Sequence, residues 1–258
     1  MTDLKSLDAI TSAMHGWTSL KERKFLYKEA KKVKNEGAIV EVGSWKGRST
    51  IWLAQGSKDG SGSKIYAIDH FIGSSEHQSP GKPVWTFDEF KNNIKMAGLE
   101  DLVEPIVANS ESAAKNWYLP IKFIFIDGAH EYEEVKKDFM LWHPFLAESG
   151  VIALHDCAPD IEAILGGLPI FGLPGPREVA EKYILSSANF CRARLTGSIV
   201  SATKCERRSV WGFIYSQICK IKIFFRYVLY RCYLIAAFSP GPVKKIIKSL
   251  FVRNKINL

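Results

Sequence analysis

The sequence predicts an α/β fold: a Rossmann-like, doubly wound sheet of about seven strands with a reversed C-terminal hairpin, followed by a helical, basic tail. Three observations carry this. Short apolar runs that stop at Gly, Asp or Asn alternate with helix-like stretches between residues 38 and 154, as parallel βαβ units require. Two further β-rich runs, 190–195 and 199–203, flank Gly197 and read as a closing hairpin. Charge is split along the chain: residues 1–203 carry 23 Lys and Arg against 26 Asp and Glu, whereas residues 204–258 carry 12 basic residues and one acid, Glu206. The expected division is a helical cap over 1–36, an α/β domain over 37–204 and a basic tail over 205–258.

The elements follow in order. Residues 20–35, rich in Lys, Glu, Leu and Ala, read as a helix stopped by Gly37. Residues 38–42 form an apolar run closed by Gly43, a buried strand, and 49–55 is the helix after it. The next strand, 64–68, ends in Asp69, and the Gly, Ser and Pro of 71–84 mark a loop. A helix over 87–97, a strand over 103–107 and a short helix over 110–117 come next. The run 121–126 is β-branched and aromatic throughout, apart from Lys122; 132–146 reads as helix and 151–154 as another buried strand. Proline and glycine crowd 158–176, a loop or lid, before a helix over 178–186.

With 47% hydrophobic and 24% charged residues, the chain has an ordinary globular balance. Five scattered cysteines with no CxxC pair argue against a disulfide framework or a cysteine zinc site, and suit a reducing, cytoplasmic setting. The first residues lack the basic-then-apolar layout of a signal peptide. The net charge of +8 invites a nucleic-acid reading, but residues 1–203 are net acidic, so nucleic acid is not the expected partner.

Right-handed crossovers bring the C-termini of parallel strands to one edge, where ligands bind. The residues ending each strand are therefore the candidates. Glu41-Val-Gly-Ser-Trp-Lys-Gly-Arg-Ser49 follows the first strand. Gly43 and Gly47 permit a tight turn with backbone N–H groups near a ligand, and Ser49 opens the next helix. This is neither GxGxxG nor GxxxxGK[ST], which disfavours a nicotinamide-dependent oxidoreductase and a phosphate loop. Asp69 suits a bidentate bond to two ribose hydroxyls. Ser110 either faces a base edge or caps the helix that it begins. Asp127 and His130 follow the fourth strand and His155-Asp156-Cys157 the fifth, so two acids and two histidines converge from neighbouring strand ends.

Taken jointly, these motifs resemble those of class I S-adenosylmethionine-dependent methyltransferases. Ile126-Asp-Gly-Ala-His-Glu-Tyr132 looks like the signature of a bacterial "IDGxHxY" subgroup that includes cephalosporin-hydroxylase-like and sugar O-methyltransferase-like proteins. The likeness covers about residues 37–204. It implies that Glu41, Gly43, Ser44, Gly47 and Ser49 surround the methionine part of S-adenosylmethionine, that Asp69 binds its ribose, that Ser110 lies near its adenine and that Asp127 borders the same site. Catechol-type O-methyltransferases hold a divalent metal, Mg²⁺, at the places of Asp127 and Asp156, and keep their general base where His130 stands. Cys157 replaces their third, Asn ligand, and thiols suit Mg²⁺ poorly.

The expected chemistry is transfer of a methyl group to a hydroxyl of a sugar in a surface glycan, glycolipid or natural product. In it His130 removes the hydroxyl proton, and Asp127 either orients His130 or binds metal with Asp156. The loops 71–84, with Trp85 beside them, and 158–176 cover the acceptor. Two alternatives keep the fold: a non-catalytic cofactor-binding or scaffold protein of a biosynthetic complex, and an RNA methyltransferase. Absence of an Asn/Asp-Pro-Pro-Tyr/Phe motif favours oxygen over a nucleobase nitrogen.

In the tail, Val243, Ile246, Ile247, Leu250 and Phe251 recur at helical spacing opposite Lys244, Lys245 and Lys248. The stretch before them, 218–238, is apolar but holds Lys220, Lys222, Arg226 and Arg231, too many charges for a membrane span. Residues 205–258 are therefore expected to make peripheral contact with an anionic membrane at its inner face. The alternative is an arm that packs on the domain or joins a homo-oligomer.

Overall fold

A computed structural model describes residues 3–34, 37–73, 83–207 and 209–238, side chains excepted at 236–238. The expected segment 243–251 and most of the loop 71–84 lie outside them.

The five parallel strands β1 (Ala38–Val42), β2 (Ile65–Asp69), β3 (Val103–Val107), β4 (Ile121–Ile126) and β5 (Leu146–Leu154) are joined by β6 (Phe190–Thr196) and β7 (Ile199–Lys204) in the order β3-β2-β1-β4-β5-β7-β6. β7 runs antiparallel between β5 and β6, which is the reversed hairpin the sequence predicts. The order reverses between β1 and β4, so their C-terminal ends open a crevice at a topological switch point. Gly197, at φ 60°, makes the tight turn of the hairpin.

The central strands are apolar on both faces because helices cover both. On β4, Phe123 and Phe125 point to one layer and Ile124 and Ile126 to the other. The first layer holds α1 (Leu4–Ser12), α2 (Leu20–Lys32), α3 (Arg48–Lys58) and α4 (Phe87–Met96), with Leu26, Trp52 and Phe90 fully enclosed. The second holds α5 (Ser110–Lys115), α6 (Tyr132–Trp142) and α8 (Pro174–Val179) around Trp142 and Phe139. A short α7 (Ile161–Leu165) lies within the expected lid, and α8 continues into a π-helical turn, Ala180–Leu185. α2 begins with a capping box: Ser19 accepts from the Glu22 amide, and the Glu22 carboxylate accepts from the Ser19 amide.

Two boundaries differ from expectation for identifiable reasons. The helix expected over 132–146 stops at Trp142, and a 3₁₀ turn, His143–Phe145, hands the chain to β5. Pro144 lacks the amide that a longer helix would need, so Leu146 joins the sheet opposite Ile121. The residue that caps α5 is Asn109, whose side chain accepts from the Ser112 amide, and Ser110 is the first helical residue.

Residues 210–238 form one 29-residue helix, α9 (Val210–Phe238), laid against β6 and the turn after α8. The inward side is not its most apolar one. Ser216, Cys219 and Ile223 are buried, and Arg226 reaches under the helix to donate to the carbonyls of Pro159 and Gly197. Within α9, the side of Ser216, Cys219, Ile223 and Arg226 therefore packs on the α/β domain. No helix among the described residues is long and apolar enough to cross a membrane.

Candidate active site

The strand C-termini and the segment between α1 and α2 enclose a cleft of about 810 Å³. Gly43, Ser44, Ser49, Asp69, Ser110, Asp127, His130, His155 and Asp156 all line it. Glu41 and Gly47, also expected there, do not. Glu41 lies fully buried below the turn, and Gly47 turns at φ 85° against Phe90. Gly43, at φ 87°, has a different task from approaching a ligand: a Cβ there would stand 2.1 Å from the Asp127 carbonyl oxygen. It lets the β1 turn pass directly over the β4 turn, which sets the two motifs side by side.

Asp69 organises that turn. Its Oδ2 accepts from the amides of Ser44 (2.8 Å) and Trp45 (2.7 Å), and its Oδ1 accepts from the Phe71 amide (2.6 Å). Both carboxylate oxygens that were expected to face two ribose hydroxyls thus already accept from the backbone. Oδ2 is saturated by backbone, and Oδ1 keeps acceptor capacity on the cleft side.

Beneath the turn, burial pushes the Glu41 carboxyl up to about 7, against the lowering effect of the Ser49, Thr50 and Ser44 hydroxyls. Thr50 donates to Oε2, whereas the Ser44 and Ser49 hydroxyls lie near the carboxyl, and no hydrogen bond of good geometry among the described residues reaches Oε1 or the Ser44 hydroxyl. Unmatched buried acceptors are costly, and these two would suit an ammonium group. Ser110 is already engaged, accepting from the Trp142 indole at 2.8 Å.

On the far wall the four converging groups pair differently from expectation. Asp127 meets His155 (Oδ1 to Nδ1, 2.9 Å), while His130 meets Asp156 (Nε2 to Oδ2, 3.4 Å). Asp156 is thus the acid within ion-pair distance of His130, and it also approaches His155 Nδ1 at 3.2 Å. Burial opposes charge on His155, but Asp127, Asp156 and Glu22 together hold its pKa well above the ordinary value. These contacts lie out of line with the ring N–H bonds, so the attraction is Coulombic rather than a directed hydrogen bond. Burial raises Asp127, and the neighbouring imidazoles hold Asp156 well below the usual carboxylate range in spite of its burial. Asp156 itself sits at φ 54°, fixed by its amide donating to Ser198 and its carbonyl accepting from the Leu173 amide. Non-glycine residues in this conformation are strained and favour functional sites.

One oxygen each from Asp127 and Asp156 and one nitrogen from His130 lie within 4.8 Å of one another. Cys157 does not join them. Its thiol is buried, pushed up by burial, and faces the Leu154, His155 and Pro176 carbonyls.

Sequence reasoning missed the other wall. His15, Trp17 and Trp45 form an aromatic cluster at the cleft mouth, with ring centroids 4.8 Å apart for His15 and Trp17 and 5.9 Å for the two indoles. Trp45 Nε1 donates to His15 Nδ1 at 3.3 Å. The available signal was His15-Gly-Trp17, two rings in a connecting segment where apolar periodicity gives them no core to fill. The expected lid contributes Pro169, Phe171 and Leu173, whereas Trp85 stands away from the cleft and donates to Asp88.

Residues 40–157 match the sequence pattern of a family described as a methyltransferase domain. That stretch runs from β1 to the end of β5 and contains every strand end described above. The match covers the part of the chain that builds most of the cleft, and it marks the protein as an enzyme with transferase activity. Solved structures share the fold. An O-methyltransferase from Bacillus cereus in complex with SAH is 22% identical, with 80% of this chain and 92% of that one covered at a TM-score of 0.55. TomG from Streptomyces achromogenes, an O-methyltransferase involved in tomaymycin synthesis and solved with SAM, is 17% identical over 79% and 91% at 0.53. The O-methyltransferase NovP is 14% identical over 74% and 84% at 0.55.

Proposed function

We propose that this enzyme moves a methyl group from S-adenosylmethionine to a hydroxyl of a sugar, in a glycan, glycolipid or natural product. The observation that carries the reading is one cleft in which the Ser44–Ser49 turn and Asp69 share the lining with the His130–Asp156 pair, with the Glu41 carboxyl buried just beneath that turn. Structural neighbours solved with SAM or SAH, and named as O-methyltransferases, support both the cofactor and the acceptor atom.

Glu41 and Ser44 would receive the cofactor's ammonium, Ser49 its carboxylate beside the start of α3, and Asp69 Oδ1 one ribose hydroxyl. S-adenosylmethionine held there would supply an activated methyl group, with a neutral thioether as the leaving group. The protein's contribution is to align an oxygen with that methyl carbon and to remove its proton. His130 accepts the hydroxyl proton as the oxygen–carbon bond forms and the carbon–sulfur bond breaks, and Asp156 stabilises the resulting imidazolium. The rings of His15, Trp17 and Trp45 offer an apolar platform for the C–H face of a sugar.

A second reading rests on the proximity of Asp127, Asp156 and His130. These residues would hold a divalent cation, which in that place lowers the pKa of a hydroxyl. The mixed oxygen and nitrogen donor set suits Mn²⁺ or Zn²⁺ better than Mg²⁺.

Calorimetric titration of the full chain with S-adenosylhomocysteine, followed by a glycan acceptor screen with and without EDTA, tests both. Binding that Asp69→Ala abolishes is expected, with turnover on a sugar acceptor. A folded protein that binds no S-adenosylhomocysteine sinks the proposal and favours a scaffold. Turnover that EDTA stops and Mn²⁺ restores moves His130 from base to ligand.

A further inference from the structure

α9 has two faces with opposite fates. Gly212, Ser216, Cys219 and Ile223 point into the domain. On the opposite side of the same helix, Val210, Ile214, Ile221, Phe225, Val228 and Ile235 form one exposed stripe, each between 38% and 77% accessible. At 100° per residue these six fall within about 80° of arc, and no charge interrupts them. Lys220 and Arg231 border the stripe on one side and Lys222 on the other. What the sequence shows as charges on two sides of a wheel is therefore an apolar face with a basic rim.

An apolar stripe of this length on a soluble surface marks a docking site. We infer that it docks on a bilayer containing acidic phospholipids, and that the enzyme meets its acceptor there. Charge decides the occupant. Neither α9 nor the sequence after it contains an acid, and residues 239–258 add Lys244, Lys245, Lys248, Arg253 and Lys255. Two copies paired through this stripe would set basic rim against basic rim, whereas an anionic headgroup layer complements it while Lys and Arg snorkel outward. The 29-residue helix lies along the domain and is not apolar enough to span, so its contact with lipid is parallel to the surface.

The same helix touches the catalytic cleft. Tyr230 stacks on Phe171 with centroids 5.6 Å apart, and Phe171 lines the cleft. Arg226 donates to Pro159, at the start of the segment that carries Phe171. Docking through the outer stripe leaves one helix diameter, about 10 Å, between the bilayer and this wall of the cleft, a distance that a lipid-linked sugar projecting from the headgroup layer can cross, so that is the acceptor class we infer. That last step rests on the methyl-transfer reading; the docking does not.

The test is co-sedimentation of the full chain with phosphatidylcholine vesicles, with and without phosphatidylglycerol, beside Ile221→Glu/Phe225→Glu. Both positions are exposed, and S-adenosylhomocysteine titration of the variant reports whether the cleft is intact. Expected are binding to the acidic vesicles only, weakening with salt, and at least about tenfold loss in the variant. No binding to acidic vesicles overturns the inference, as does a dimer in sedimentation velocity that the variant converts to monomer. Vesicle binding without S-adenosylhomocysteine binding would overturn the methyl-transfer reading and leave docking standing. The reverse result would overturn docking alone.

Discussion

His155 Nδ1 lies 2.9 Å from Asp127 Oδ1, with the imidazole almost wholly buried beneath the cleft floor. Its other nitrogen is 3.4 Å from Glu22 of α2, and Asp156 approaches Nδ1 at 3.2 Å. One ring thus balances three carboxylates drawn from α2, β4 and β5. Glu22 also accepts from the backbone and side chain of Ser198, so this point ties the N-terminal cap to the C-terminal hairpin.

Replacing His155 by Gln removes the positive charge that separates Glu22, Asp127 and Asp156 and leaves the three carboxylates to repel one another. Breaking a buried pair in this way costs about 3–5 kcal/mol. Urea denaturation of His155→Gln is expected to show a loss of that order. A loss below about 1 kcal/mol would mean that the ring is neutral and merely packs.

Glu41 gives a pH signature. Its folded-state pKa, pushed up to about 7 by burial, exceeds the ordinary 4.5, so the folded protein binds the proton more tightly than the unfolded chain does. Stability therefore falls as pH rises from about 4.5 through about 7, by up to roughly 3 kcal/mol. Glu41→Gln should flatten this dependence and be more stable than the parent at pH 8. If Glu41 faces the cofactor's ammonium, S-adenosylhomocysteine raises the Tm of the parent more at pH 8 than at pH 6. Thermal melts at the two pH values, with and without the ligand, decide it.

Gly43→Ala tests the crossing of the two turns. The added methyl would enter the Asp127 carbonyl at 2.1 Å, and φ 87° is itself unfavourable for alanine. The β1 and β4 turns must separate, which displaces the Asp69-bound amides of Ser44 and Trp45 as well as Asp127. The variant should lose both stability and S-adenosylhomocysteine affinity, the latter by more than about tenfold. Gly62→Ala, also at positive φ but with open space around it, is the control for backbone strain alone.

The strands and their order of appearance were readable because βαβ units impose a repeating period on the sequence. The glycine turn, Asp69, Asp127, His130 and Asp156 were readable because the topology sends every strand end to one edge. Which acid meets which histidine was not. Asp127 is nearer His130 in sequence, but in space it lies against His155, while Asp156 stands between the two imidazoles, 3.2 Å from His155 and 3.4 Å from His130. Glu22, His15 and Trp17 escaped notice because they precede the repeating units, and Trp45 because the two rings it meets come from that segment. The two faces of α9 could not be separated by composition, since Ser216 and Arg226 turn inward while Phe225 turns out.

In the proposed methyl transfer, His130 is the residue that takes the hydroxyl proton. It is partly exposed at the cleft wall and within ion-pair distance of Asp156, so it can lose its ring without opening a core cavity. Removing a general base costs about 10²–10⁴ in kcat. His130→Ala should show that loss with S-adenosylhomocysteine affinity unchanged, because Glu41, Ser44 and Asp69 remain. Asp156→Asn should lose less, since the imidazole stays and only the partner that stabilises its charged form is gone. Single-turnover rates measured with saturating acceptor separate these effects from binding. Equal loss in both variants, accompanied by rescue of the parent from EDTA by Mn²⁺, would instead show the two residues acting as joint ligands of a cation.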